Sequence, residues 1–149
     1  MTIENMLISG LTSMMVILTG LKQVIFAGGG KADSYKSIRG NSYGMWIATE
    51  INLHHEETIK ECFKRTFAAK NRKTFWDLNP SSPEHRIYVN YIDKYAAKQE
   101  NGEFKDGYYN YEHFTIYDNI NISDERREEI VSTYEVGSID YKRDIAGVS

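Results

Sequence analysis

The sequence holds a single cysteine, Cys62, in 149 residues. That excludes an intrachain disulfide and a cysteine-built metal cluster, and it fits a reducing compartment. Positive charge is not in excess either. The formal net charge is −3, so no overall basic field draws the chain to nucleic acid. The one dense basic run, Lys70-Asn71-Arg72-Lys73, reads as a solvated loop. No Lys or Arg precedes Lys22, so the apolar opening MTIENMLISGLTSMMVILTGL lacks the positive start of a secretory signal. Gly10 and Gly20 interrupt that opening, and it is short for a membrane span. Residues 1–21 are expected to form a core-facing helix or a buried segment. There is no internal repeat and no low-complexity stretch, and the length is that of one domain.

A phosphate-binding loop is also missing, although one stretch imitates it. FAGGGKADSYKS, residues 26–37, brings an apolar run into three glycines and a lysine. The pattern G-x-x-x-x-G-K-[ST] needs a hydroxyl after the lysine to hold Mg²⁺, and here Ala32 follows Lys31. The first glycine of the pattern would fall at Ile25, inside the apolar run. A flexible turn leaving a strand is the reading this supports.

What remains is an alternation of strands and helices. Residues 22–28 and 44–51 read as buried strands, and 73–78 as a third. Pro80 and Pro83 stop the third, because proline cannot continue a central ladder. HFTIY, residues 113–117, reads as a fourth. Between them lies an amphipathic helix over 55–69 with Ile59, Cys62, Phe63, Thr66 and Phe67 on one face. A second helix runs from Pro83 to about Lys98, and a third, capped by Ser123, covers about 124–135. The tail YKRDIAG starts another. Such alternation predicts an α/β fold with a partial parallel sheet flanked by helices.

The stretch that carries chemistry is GMWIATEINLHHEE. Ligands of open α/β sheets bind at the carboxyl ends of the strands. A carboxylate there can orient an attacking water, and a neighbouring one can hold Mg²⁺. Glu50 ends this strand, but Thr49 stands where a second acid would be. A solvated loop starting at Glu50 is the plainer alternative. His54 and His55 are adjacent, so they cannot share a helical face, and no H-E-x-x-H zinc pattern exists. Asn79, before Pro80, is a turn residue or a group that senses a phosphate. Tyr108, Tyr109, Tyr111, Tyr117 and Tyr134 are either half-buried packing or surfaces for stacking bases.

Taken in order, GGGKADSYKSIRGNSYG, GMWIATEINLHHE, KRTFAAKNRKTFWDLNPSSPEH, YEHFTIYDNINIS and YKRDIAG resemble the large terminase subunit of tailed bacteriophages. The likeness is to its PBSX-like group, typified by defective prophages of Gram-positive bacteria, and it covers about residues 22–147. It implies an ATP-driven motor of the P-loop ATPase type that packages viral DNA into a capsid, joined to a C-terminal nuclease. The implied cofactors are ATP and Mg²⁺. The implied partners are phage DNA, the small terminase subunit and the portal, in the cytoplasm of a bacterial host and with no membrane.

Position by position, GMWIATE falls where the family has its Walker B strand, so the resemblance makes Glu50 the catalytic carboxylate. Thr49 replaces a common aspartate, which leaves it metal support only through a bound water. WDLNP falls on the coupling motif and makes Asn79 its coupling residue. Arg65 is a candidate charge-stabilising arginine. Ile120 departs from a usual proline, and Val148-Ser149 depart from a usual GEW ending. The implied organisation is an apolar segment 1–21, a partial ATPase core 22–112, and a linker region 113–149 toward a nuclease domain.

In the family the phosphate loop precedes the stretch matched here, and the nuclease aspartates follow it. The chain is therefore expected to be an internal piece, without ATPase or nuclease activity alone. Two other readings stay open: a non-catalytic remnant or assembly module that binds a terminase or portal partner through its apolar N-terminus, and a stand-alone nucleotide binder using Gly28–Lys31.

Overall fold

The computed structural model describes residues 6–10, 15–19, 22–105 and 107–148. The chain divides into two compact units, Met1–Leu78 and Asn79–Ser149. The first is built on a five-stranded sheet: β1 (Met6–Gly10), β2 (Met15–Thr19), β3 (Lys22–Gly28), β4 (Met45–Ala48) and β5 (Lys73–Trp76). Their spatial order is β2-β3-β1-β4-β5. Strands β3, β1, β4 and β5 run parallel, and β2 pairs antiparallel with β3 at the edge.

The strands read over 22–28, 44–51 and 73–78 are present as β3, β4 and β5, the last two shorter than expected. Residues 1–5, 11–14 and 20–21 lie outside those described; of the helix or buried segment expected over residues 1–21, the helix is corrected by β1 and β2. Each is a five-residue apolar run, and periodicity alone cannot separate a short buried strand from a piece of buried helix. Pairing decides it. β1 lies between β3 and β4, with Leu7 opposite both Ile25 and Trp46, and Ser9 opposite both Ala27 and Ala48. Those six side chains share one face of the sheet and are all buried.

Helix α1 (Glu56–Thr66) follows β4 and buries Thr58, Ile59, Glu61, Cys62 and Thr66. Phe63 meets Trp46 edge-on at 5.3 Å between ring centroids. Trp76 completes a triangle with both, at 5.3 Å from Trp46 and 5.4 Å from Phe63. Phe67, expected on the buried face, is 64% exposed because it caps the helix end. Glu61 takes the inward place. Its carboxylate accepts from Arg65 Nε at 2.8 Å and pairs with Arg65 Nη2 at 2.7 Å and Arg39 Nε at 3.7 Å. Two guanidinium groups offset the desolvation of one carboxylate.

Burial pushes the Cys62 thiol well above its ordinary value, helped by the neighbouring Glu61 charge. At neutral pH the thiol is protonated and covered, and the thiolate is the reactive form. The native chain should therefore resist iodoacetamide and label only in denaturant. Rapid labelling under native conditions, followed by mass spectrometry, would show that α1 does not seat on the sheet.

In the second unit a helical run starts near Arg86, passes through a wide turn at Tyr88–Ile92 and continues as α2 (Asp93–Glu100). Ile87, Tyr91 and Ile92 face inward. Tyr95, Phe104, Tyr108 and Tyr109 form an aromatic cluster with centroid distances of 5.8–6.2 Å. Helix α3 (Asp124–Ser132) begins where Ser123 Oγ accepts from the Arg126 N–H. The tail forms a short helical turn over Tyr141–Ile145, with Ile145 buried.

The fourth strand expected at 113–117 is not formed. Thr115 and Asp118 instead satisfy each other, the Thr115 N–H donating to Asp118 Oδ2 at 2.7 Å, and a short helical turn follows over Ile116–Asp118. Local side-chain bonds of this kind compete with a ladder. Phe114, 73% exposed, gains nothing from alternation.

Candidate functional site

The carboxyl ends of β1, β3, β4 and β5 meet at one edge of the sheet. Backbone bonds bind these ends together: Gly29 N–H to Gly10 C=O at 2.6 Å, Thr49 N–H to Ser9 C=O at 3.0 Å, and Asp77 N–H to Ala48 C=O at 3.0 Å. Glu50 lies just beyond β4 on this edge. Its backbone sits at φ 51° and ψ 51°, the left-handed region. A non-glycine residue held there costs about 1–3 kcal/mol and persists only when its surroundings over-determine it. They do. The Glu50 N–H donates to Asp77 Oδ1 at 2.7 Å, and its carbonyl accepts from Leu53 N–H at 2.9 Å. The Ile51 N–H then donates to the Asp77 carbonyl at 3.0 Å.

Strained left-handed residues cluster at functional sites. Thr49 is exposed beside Glu50, with Oγ1 3.5 Å from the Ser9 carbonyl. A methyl group on Gly10 would come within 2.9 Å of that Oγ1, so glycine lets the two strand ends approach. The two adjacent histidines part company. His55 caps α1, its Nδ1 accepting from the Glu57 N–H at 3.3 Å. His54 is fully buried against Ser9.

Two amides of the glycine loop are already spent within the chain. Gly29 is buried, its N–H spent on Gly10, and its carbonyl accepts from His55 N–H at 2.9 Å. The Lys31 N–H donates to Ser34 Oγ at 3.1 Å, and the chain turns into the short helix Ser34–Ile38.

Arg65 is placed elsewhere. Its carbonyl accepts from the Tyr43 N–H at 2.9 Å, just before β4 begins, whereas Glu50 follows β4's end. The geometry joins it to Glu61, not to Glu50. Asn79 is exposed and is the first residue of the second unit. Asp77 and Ser9 were not singled out by sequence, and His54 was weighed only as a metal ligand. WDLNP carries the acid openly, but Ser9 and His54 are 45 positions apart and meet only through the sheet.

Among the described residues no group of three or more His, Cys, Asp or Glu could hold a metal ion. Glu50 and Asp77 both lie at this edge, joined through the Glu50 N–H. No described helix is long and apolar enough to cross a membrane.

A largely parallel sheet with a left-handed acidic residue at its carboxyl edge defines an open-sheet α/β fold. Residues 6–147 match the family model described as "Terminase large subunit, T4likevirus-type, N-terminal". The chain belongs to that family. The fold is similar to that of the large terminase from a thermophilic bacteriophage, with a TM-score of 0.75 and 21% identity. The same protein in complex with ADP gives the same values, and in complex with ATP-γ-S a TM-score of 0.69 at 20% identity. The match covers 99% of this chain and 40–41% of those chains, so the chain spans about two fifths of their length. No protein of curated function matches.

Proposed function

We propose that this chain is part of the ATPase motor of a bacteriophage large terminase, with Glu50 as the carboxylate that orients the attacking water. The observation that carries this is the left-handed Glu50 at the carboxyl edge of four parallel strands, fixed by Asp77 from just beyond the neighbouring strand. ATP is the nucleotide, as the ADP and ATP-γ-S complexes of the thermophilic phage protein suggest. Mg²⁺ would supply charge neutralisation of the phosphates. Thr49 would touch it only through a water. Asn79 is the coupling residue, a reading supported by its place where one compact unit gives way to the next. Viral DNA, a small terminase subunit and the portal are the partners, and the bacterial cytoplasm the setting. The PBSX-like grouping belongs to the same reading. Arg65, paired with Glu61, is the candidate charge-stabilising arginine of this reading.

The sequence holds no G-x-x-x-x-G-K-[ST] pattern, and phosphoryl transfer depends on positioning the phosphates. The chain alone should hydrolyse no ATP above background. Supplied with a family polypeptide that carries G-x-x-x-x-G-K-[ST], it should turn over, and Glu50→Gln should lower kcat about 100-fold. Unchanged turnover in Glu50→Gln would overturn the assignment. An assembly that binds its partner firmly but never turns over would favour the assembly-module reading.

A further inference from the structure

Three buried side chains at the carboxyl edge form a hydrogen-bond chain that the proposed chemistry does not use. The Trp46 Nε1–H donates to Ser9 Oγ at 2.8 Å. Ser9 Oγ lies 3.0 Å from His54 Nε2. His54 Nδ1 lies 3.3 Å from the Glu50 carbonyl oxygen. Chemistry sets the direction of each bond. The indole only donates and the carbonyl only accepts, so Nδ1 carries the imidazole proton. Nε2 of the neutral ring then accepts, and the Ser9 hydroxyl accepts from Trp46 and donates to Nε2. One tautomer satisfies every group.

A serine paired with a histidine suggests a nucleophile and its base. Burial argues otherwise. Ser9 is 1% exposed and His54 0%, and the hydroxyl oxygen already takes the indole proton. No substrate atom reaches it. The far end of the chain is where the consequence lies. It stops on the carbonyl of Glu50, whose N–H is held by Asp77. The peptides on both sides of that left-handed α-carbon are thus fixed by side chains from other positions.

We infer that His54 is a positioning residue for Glu50. Its Nδ1–H holds the carbonyl of the left-handed residue, and the Ser9–Trp46 pair holds the ring at the right depth. Gly29 sets the wall behind it, since a methyl group there would lie 2.1 Å from the ring's Cδ2. The glycine loop that imitates a phosphate cradle is therefore the backing of this imidazole. The catalytic consequence rests on the reading of Glu50 given above; the geometric claim does not.

The test uses the intact, isotope-labelled chain in solution. Long-range ¹H–¹⁵N spectra should show His54 as the Nδ1–H tautomer with Nε2 accepting, and Glu50 should show the strong intraresidue HN–Hα NOE of a positive φ. His54→Asn places an amide N–H near the Nδ1 position and should keep that NOE. His54→Gln reaches toward Ser9 instead and should lose it. In the turnover assembly, His54→Gln should lower kcat by about 10- to 100-fold at unchanged KM, with His54→Asn substantially rescued. An Nε2–H tautomer in the wild type overturns the inference even if both variants fail to fold. So does a Glu50 NOE that persists in His54→Gln. If the NMR results hold while Glu50→Gln turns over normally, the catalytic reading fails and the positioning of Glu50 stands.

Discussion

Trp46→Ala is expected to lower the stability of the first unit by about 3–5 kcal/mol, the range for removing a buried large aromatic side chain. That is a large share of the roughly 5–15 kcal/mol that holds a typical domain folded. Trp46 is fully buried on the central face of the sheet. It touches Phe63 of α1 at an interplanar angle of 80° and Trp76 of β5 at 69°, so it joins one helix and two strands. The alanine variant opens a cavity bordered by two aromatic rings that cannot both close on it, and it takes a donor from Ser9. Trp46→Phe separates these effects. It keeps part of the apolar contact but loses the N–H together with part of the ring, so it should cost about 1 kcal/mol more than the lost volume alone explains. Urea denaturation followed by far-UV circular dichroism measures both, and Trp76, the remaining tryptophan, reports the local packing by fluorescence. A Trp46→Ala loss below about 1 kcal/mol would mean that this aromatic triangle is not the core of the unit.

The strands β3, β4 and β5 were legible because each is a short apolar run closed by glycine or charge. α1 was legible because its period is long enough to be unambiguous. β1 was not, and the reason is physical. Its five residues owe their extended state to ladders with β3 and β4, which are distant in sequence. A local pattern holds no record of such partners. HFTIY failed in the opposite direction. The stretch read as a strand, but no described neighbour supplied a ladder and the Thr115–Asp118 pair offered a nearer solution.

The site shows the same division. That a carboxylate ends β4 could be read from GMWIATE. That its backbone turns left-handed could not, since glutamate seldom adopts φ above zero. Asp77 shows its part only where the sheet places it opposite the Glu50 amide. The histidine pair was read correctly as unable to share a face, yet that fact hid its use. One ring goes down onto the sheet and the other caps α1.

Gly29→Ala tests that buried arrangement most directly, with an expected loss of about 3 kcal/mol, the upper end of what overpacking costs. An added Cβ would stand 2.1 Å from His54 Cδ2, 2.4 Å from Nε2 and 2.8 Å from Cγ. Neither side can yield cheaply. The backbone of Gly29 is tied at both ends, to the Gly10 carbonyl and the His55 N–H. The ring is tied to Ser9 and to the Glu50 carbonyl. Gly40→Ala is the control. Gly40 has a positive φ, 90°, and a Cβ there meets nothing within 4 Å, so that variant carries backbone strain without overpacking. The discriminating variant is the double one. In Gly29→Ala with His54→Ala the methyl group enters space the ring has left, so the pair should be more stable than the sum of the single changes by about 1–3 kcal/mol. Strict additivity, measured by urea unfolding, would show that the loop and the imidazole do not share one packed space. The glycine at position 29 would then serve the turn alone, and the link from loop to Glu50 would be lost.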